Sequence, residues 1–189
     1  MKNKKFSLAV LAVVLSLGVF ATGCLLSGQF IILYNFDENI ESDDDVLGSA
    51  HVDLTSEPTW EDHSDKIQGI TDVKFEAKFV NNTGTEASGE VWISTVEYTT
   101  VAQVIAVGNA TRILSGITVP GGGSTSISFA ESSEKIENLE TVLDLLEGGN
   151  FWVYGIAADL PFDITITGID STDPDKAHAR FLVTITAGP

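Results

Sequence analysis

Asp170-Ser171-Thr172-Asp173-Pro174-Asp175 sets three carboxylates within six residues. Oxygen-rich loops of this kind suit calcium, which takes six to eight hard ligands in loosely specified geometry. The spacing departs from an EF-hand, with no glycine at the sharp turn and no closing glutamate. Ser-Thr-Asp and Asp-Pro are also ordinary turn formers, so a solvated turn is the competing reading. Asp43-Asp44-Asp45, with Asp37, Glu38 and Glu41 just upstream, is the densest acidic cluster in the chain. Like charges this close call for a solvated loop or for a cation. The two segments would share one calcium ion only if folding brought them to the same end of the domain. Asp43, Asp44, Asp45, Asp170, Asp173 and Asp175 are therefore the candidate calcium ligands.

The other chemistry-bearing residues are less specific. His51-Val52-Asp53 and Glu61-Asp62-His63 join imidazole to carboxylate, both zinc donors, but neither has the spacing of a compact motif such as His-Glu-x-x-His. There is no Gly-x-Ser-x-Gly elbow, and a carboxylate pair for glycoside hydrolysis can be found anywhere in so acidic a chain. A hydrolase is thus the least favoured class. Trp60 lies in the polar stretch Pro58-Thr59-Trp60-Glu61-Asp62-His63. Exposed there, it would stack on a sugar or anchor a protein contact; otherwise it folds back over the end of the domain. Trp92 and Trp152 fall within apolar, strand-like segments and are expected in the core or on a sheet face.

One residue has a definite chemical expectation. Three lysines lie within Met1–Lys5, Phe6–Phe20 is almost wholly apolar, and Ala21-Thr22-Gly23 leads into Cys24, the single cysteine. A basic head, a short apolar stretch and small residues before a break are what a secretory signal peptide requires. The apolar run of 15 residues falls short of the roughly 20 that span a bilayer as a helix. With Cys24 directly after the small residues, the segment resembles the signal of bacterial lipoproteins, although that family prefers Leu where this chain has Ala21. The resemblance covers residues 1–24 only. It implies cleavage after residue 23, lipidation of Cys24 as the new first residue, export, and attachment to a membrane through the lipid. Leu25 in place of Asp after the cysteine resembles an outer-membrane destination, if the source has two membranes. Ordinary secretion and an uncleaved anchor are the alternatives.

Beyond Gly23 the chain has 166 residues, enough for one domain with a real core. That part carries 27 acidic against 7 basic residues, a formal charge of −20 compared with −17 for the whole sequence. Such a surface repels phosphates, which argues against nucleic-acid binding. It also repels anionic headgroups, so acyl chains rather than basic contacts would hold it to a membrane. With one cysteine no intramolecular disulfide forms, and stability rests on packing.

The elements that must position these residues are mostly strands. Residues 24–29 are expected to be the lipidated cysteine and a tether of five residues, about 17 Å long, with a single domain over 30–189. Phe30–Tyr34 reads as a strand. Val73–Phe79 alternates apolar and charged residues as a half-buried strand does, and the turn Asn81–Thr85 with a strand over Val91–Tyr98 predicts a hairpin. Thr99–Val107 fits a strand or a helical face. Ile113–Val119 and Ser124–Phe129 flank the turn Pro120-Gly121-Gly122-Gly123. Further strands are expected at Phe151–Ala158, Phe162–Gly168 and Ala179–Thr186. Ile136, Leu139, Leu143 and Leu146 recur at helical spacing, predicting one short helix over 134–147, capped by Ser132 or Ser133 and stopped by Gly148-Gly149. The sum is an all-β, two-sheet antiparallel sandwich, immunoglobulin-like as one option although its Cys…Trp…Cys signature is missing. The functional expectation is a non-enzymatic binding or structural module of the cell envelope, meeting an envelope protein or a glycan. The alternative is a calcium-dependent carbohydrate-binding or adhesion module.

Overall fold

The computed structural model describes residues 28–44, 46–106, 108–157 and 161–188; Cys24 and the segment before it lie outside them, as does Asp45. Ten strands are described: β1 Gly28–Asn35, β2 Ile40–Asp43, β3 Gly48–Asp53, β4 Ile67–Asn81, β5 Ala87–Ser94, β6 Ala110–Val119, β7 Ser124–Ile127, β8 Asn150–Ala157, β9 Asp163–Thr167 and β10 Arg180–Ala187. Six form one sheet in the order β1-β10-β4-β9-β2, with β7 also paired to β4, and four form a second in the order β3-β8-β5-β6. All pairings are antiparallel. The chain is an all-β two-sheet sandwich. Its strand orders are not the ABED and CFG orders of immunoglobulin domains.

The sandwich begins two residues earlier than the sequence pattern suggests. Gly28 and Gln29 pair with Ala187 and Thr186, so they belong to β1 and not to the tether.

The chain passes repeatedly between sheets, and among the described residues β5 and β6 are the single consecutive pair joined in one strand ladder. The predicted hairpin of β4 with β5 does not form. β4 pairs with β10, β7 and β9, and the turn at Asn81–Thr85 carries the chain across to the other sheet. A Cβ on Gly89 of β5 would lie 3.1 Å from the Phe79 ring of β4, so the two strands meet face to face. Asn81 holds this crossing, its Nδ2 donating to the Thr85 carbonyl at 2.7 Å and to the Val119 carbonyl at 3.2 Å.

Between the sheets sits the main core. Phe75, Phe79, Phe151 and Phe181 are buried, and Phe75 and Phe181 stack at an angle with centroids 5.0 Å apart. Alternation places Val73, Phe75, Ala77 and Phe79 of β4 on the inner face, as its period-two pattern requires. Gly155 of β8 lets the sheets close: a Cβ there would lie 2.5 Å from Ile166 of β9.

Among the described residues four α-helices connect strands: α1 Pro58–Glu61, α2 Val101–Ala106, α3 Phe129–Lys135 and α4 Leu139–Leu146. Residues 99–107, ambiguous by pattern, thus include a helix. The single helix expected over 134–147 is two. The cap is Ser128, in a reciprocal box with Glu131, rather than Ser132 or Ser133. Ser132 is buried, and its hydroxyl instead accepts the Phe75 backbone N–H at 3.0 Å. The break falls at Glu137, whose N–H donates to the Ile113 carbonyl, and at Asn138, which takes φ 55. A strand acceptor outcompeted the helical one. Leu139 is consequently exposed, while Val142 and Leu146 face the core. The stop at Gly148-Gly149 holds, Gly149 having φ 72.

A second, smaller apolar cluster lies on the outer face of the four-stranded sheet. Tyr154 and Ile156 of β8 are covered there by Tyr98 and by Val104 of α2. The Tyr154 hydroxyl clamps the cover, accepting the Tyr98 N–H at 2.8 Å and donating to the Val96 carbonyl at 3.0 Å.

Candidate functional site

The two acidic segments are separated. Register pairs Ile40 with Ile166 and Asp43 with Asp163, so the loop that follows β9 leaves at the end of β2 opposite Asp43. Asp170 and Asp43 therefore cannot share an ion at a common loop end. Within its own loop, Asp170 Oδ1 accepts from the Thr172 N–H at 2.9 Å and hydroxyl at 2.7 Å. Asp173 caps a short 3-10 turn, accepting the Asp175 N–H, and meets Lys176 Nζ at 3.0 Å. The Thr172 hydroxyl and Lys176 ammonium hold the Asp170 and Asp173 carboxyls, respectively, below the usual carboxylate range. Asp44 Oδ1 accepts the Phe162 N–H at 2.8 Å, and Asp43 Oδ1 the Val46 N–H at 2.8 Å. These oxygens brace turns. Among the described residues no group of three or more His, Cys, Asp or Glu side chains is arranged to hold a metal ion.

The imidazoles are scattered as well. His63 stacks on Phe30 with centroids 3.8 Å apart, His51 lies beside Trp152 at 4.9 Å, and His178 Nδ1 is 3.3 Å from Asn39 Oδ1. Asp53, two residues from His51, accepts from Thr55, which holds its carboxyl below the ordinary value.

Trp60 is not an exposed contact. It sits on α1 at 6% exposure, inside the main core. Gly149 makes the slot, since a Cβ there would lie 2.8 Å from the indole. The glycine is 89 residues distant in sequence, so the polar neighbours of Trp60 gave no sign of it. Trp92 and Trp152 are half-buried on the outer face of the four-stranded sheet. Trp92 donates Nε1–H to Glu90 at 2.9 Å and lies under the Arg112 guanidinium at 5.9 Å. Arg112 bridges Glu90 and Glu137 at 3.0 and 3.1 Å.

Concave features among the described residues include one of about 340 Å³ beside Asp43, Asn82 and Asp163, and a larger one at the β1–β2 connection. A groove of about 510 Å³ is walled by Asp37, Glu38, Asn39, Glu41, Ser49 and His178. A hollow of about 310 Å³ adjoins it, sharing Asp37, Glu38, Asn39 and Ser49 and adding Tyr34 and His51. Asp37, Glu38, Asn39 and Glu41 are exposed, and His178 is half-buried. Burial and the nearby Asp37 carboxylate push the Tyr34 phenol above its usual value, and its hydroxyl donates to the His51 carbonyl at 3.4 Å. The tight β1–β2 turn brings the carboxylates together, while His178 arrives from 139 residues beyond Asn39 through the Asp170 loop. Of the residues singled out by sequence, Asp37, Glu38 and Glu41 belong here; Asn39, Ser49 and His178 lacked any local signal. The walls offer hydrogen-bond acceptors and negative charge, and so suit a cationic or hydroxyl-rich ligand.

Fold and groove define an antiparallel β-sandwich with an open, carboxylate-lined surface at one loop end. No family model matches the chain, and no curated protein matches it. Among solved structures, Desmodium yellow mottle tymovirus is similar at 8% identity over 87% of this chain and 91% of that one, with TM-score 0.30. A structure of infectious bursal disease virus, Gx strain, aligns at 10% identity over 87% of this chain and 37% of that one, with TM-score 0.22. Superpositions this loose carry no argument about function. No described helix is long and apolar enough to cross a membrane.

Proposed function

We propose that the chain is a lipid-anchored protein of the bacterial cell envelope, a binding or structural module rather than an enzyme, whose partner meets the carboxylate-lined groove. The observation that carries the reading is the order of residues 1–24: lysines, a short apolar run, Ala21-Thr22-Gly23, then the single cysteine. On this reading three residues, Leu25, Leu26 and Ser27, separate the anchored Cys24 from the first described residue of β1, Gly28. At ~3.5 Å per residue the four Cα steps from Cys24 to Gly28 span at most about 14 Å.

Support for a binding role comes from the groove. Its acidic walls are exposed, Asp37 and Glu38 on the β1–β2 connection and Glu41 on β2, and so lie open to a partner from solution. Asp37, Glu38 and Glu41 within a chain of net charge −17 favour a basic segment of an envelope protein over an anionic ligand. Hydroxyls of a glycan would use the same acceptors.

Phase partition in detergent tests the anchor. Wild type should enter the detergent phase and Cys24→Ala the aqueous phase; equal partition of the two rejects it. Binding of a fluorescent oligolysine peptide tests the groove. The double variant Asp37→Asn, Glu38→Gln should weaken it about tenfold at low salt, and unchanged affinity would remove the groove from the proposal.

A further inference from the structure

We infer that the part of the six-stranded sheet's outer face formed by β1 and β10 lies against the lipid bilayer and sets the orientation of the anchored domain; this rests on the lipid-anchor reading above. On β1 the side chains alternate, with Ile32 buried, Ile31 61% exposed and Leu33 42% exposed. Antiparallel register sets Leu33 opposite Leu182 and Ile31 opposite Thr184, and carries the two rows on to Lys74 and Asp72 of β4. Residues 28–35 contain no charged side chain. The charges next in line are paired with each other: Lys74 Nζ lies 3.2 Å from Asp72 Oδ2, and Arg180 joins Glu76. The opposite end of the same sheet differs, with exposed Glu41 and Asp43 on β2 and Asp163 on β9. A chain of formal charge −20 beyond Gly23 thus keeps a neutral strip with an aliphatic centre on the strand next to its anchor.

The length of chain outside the described residues says what meets that strip. Three residues separate Cys24 from Gly28, so an acylated Cys24 holds the start of β1 within about 14 Å of the lipid headgroups. Two partly exposed aliphatic residues do not bind a protein to a membrane on their own. For a domain already confined there by acyl chains, they only have to choose between orientations. A flat approach of β1 and β10 removes Ile31 and Leu33 from water and brings no unpaired carboxylate of this strip toward the headgroups. An upright approach leaves both in water. The acidic groove begins beyond the far end of β1, about 26 Å along the strand from the tethered end.

The test uses the full chain carrying Leu33→Cys. With Cys24 blocked by its lipid, the new thiol is the single labelling site for an environment-sensitive fluorophore. Val96→Cys, at a position 45% exposed over the outer face of the other sheet, serves as the reference. In phosphatidylcholine vesicles containing nitroxide-labelled lipid, the probe at 33 should be quenched about threefold more than the probe at 96. Equal quenching overturns the orientation; if radiolabelled palmitate is incorporated at Cys24, the anchor itself survives that result. Absence of incorporation removes both readings. Leu33→Cys combined with Cys24→Ser is run without lipid. A monomer with a solvent-exposed probe is expected, whereas a dimer with a shielded probe assigns the strip to a second copy and overturns the proposal.

Discussion

Residues 95–106 fold back over the outer face of the four-stranded sheet, whereas Ile31 and Leu33 on the outer face of β1 stay exposed. The first face needs covering, because Tyr154 and Ile156 of β8 point outward and are buried in a cluster with Tyr98 and Val104, flanked by Trp92 and Trp152. The second mixes Ile31 and Leu33 with Thr184, Gln29 and Asn35. The difference teaches that outward apolar residues are matched by an intramolecular partner on one side. On the other, the outward aliphatic side chains of β1 stay exposed to solvent. The two faces should answer substitution differently.

The largest effect is expected where the six-stranded sheet's outer face does hold a buried charge. Arg180 and Glu76 are each about 10% exposed, and Arg180 also lies 5.2 Å over the Phe129 ring of α3. Arg180→Met leaves the Glu76 carboxylate buried without its partner and should cost about 3 to 5 kcal/mol in urea denaturation. A loss below 1 kcal/mol would mean that water reaches Glu76. Next comes the clamp on the clad face. Tyr154→Phe removes the hydroxyl that serves Tyr98 and Val96, and should lower stability by about 1 to 3 kcal/mol. It should also raise hydrogen exchange at Tyr98 above that at Ile113. Unchanged exchange would show that α2 is held without the clamp.

Acid should weaken the fold. The Ser115 hydroxyl, followed by Arg112, holds the Glu137 carboxyl below its ordinary value, and Thr172 and Lys176 do the same for Asp170 and Asp173. A carboxyl with a depressed folded-state pKa stabilises the fold above its unfolded value, roughly 4, and loses that contribution as pH falls through the lower folded value. The urea midpoint should therefore fall between pH 5 and about pH 2, and Ser115→Ala should lose less of it than wild type. A midpoint that rises over this interval contradicts the sign. On the bare face Leu33→Ser should change stability in solution by no more than about 0.5 kcal/mol. A cost like that of Tyr154→Phe would mean that the strip is covered after all. The smallest effect is expected from calcium, since the Asp170 loop spends its oxygens on its own turn: millimolar calcium should leave Tm unchanged, and a rise of several degrees would restore the calcium reading.

The legible parts of this fold were those whose pattern is local. Val73–Phe79 alternates because one face of β4 is buried, and Gly148-Gly149 ends α4 through its own backbone freedom. β2 and β3 were hidden. Ile40-Glu41-Ser42-Asp43 is short and half acidic, and Gly48–Asp53 has Val52 as its one large aliphatic residue, so both are strands only because β9 and β8 pair with them. The same non-local logic divided the predicted helix at Glu137 and buried Trp60 against Gly149. Half of the groove was visible as acidic residues. His178 and Ser49 were not, since their place beside Asn39 and Asp37 follows from strand order, which no short sequence motif encodes.

On the proposed function Cys24 is the first residue of the mature chain and carries its lipid. Intact mass spectrometry of the protein extracted from membranes measures this directly. The account predicts a chain beginning at Cys24 with the added mass of acyl chains, and a Cys24→Ser variant without that mass. An unmodified cysteine, whether in an uncleaved chain or in a freely secreted one, would contradict it.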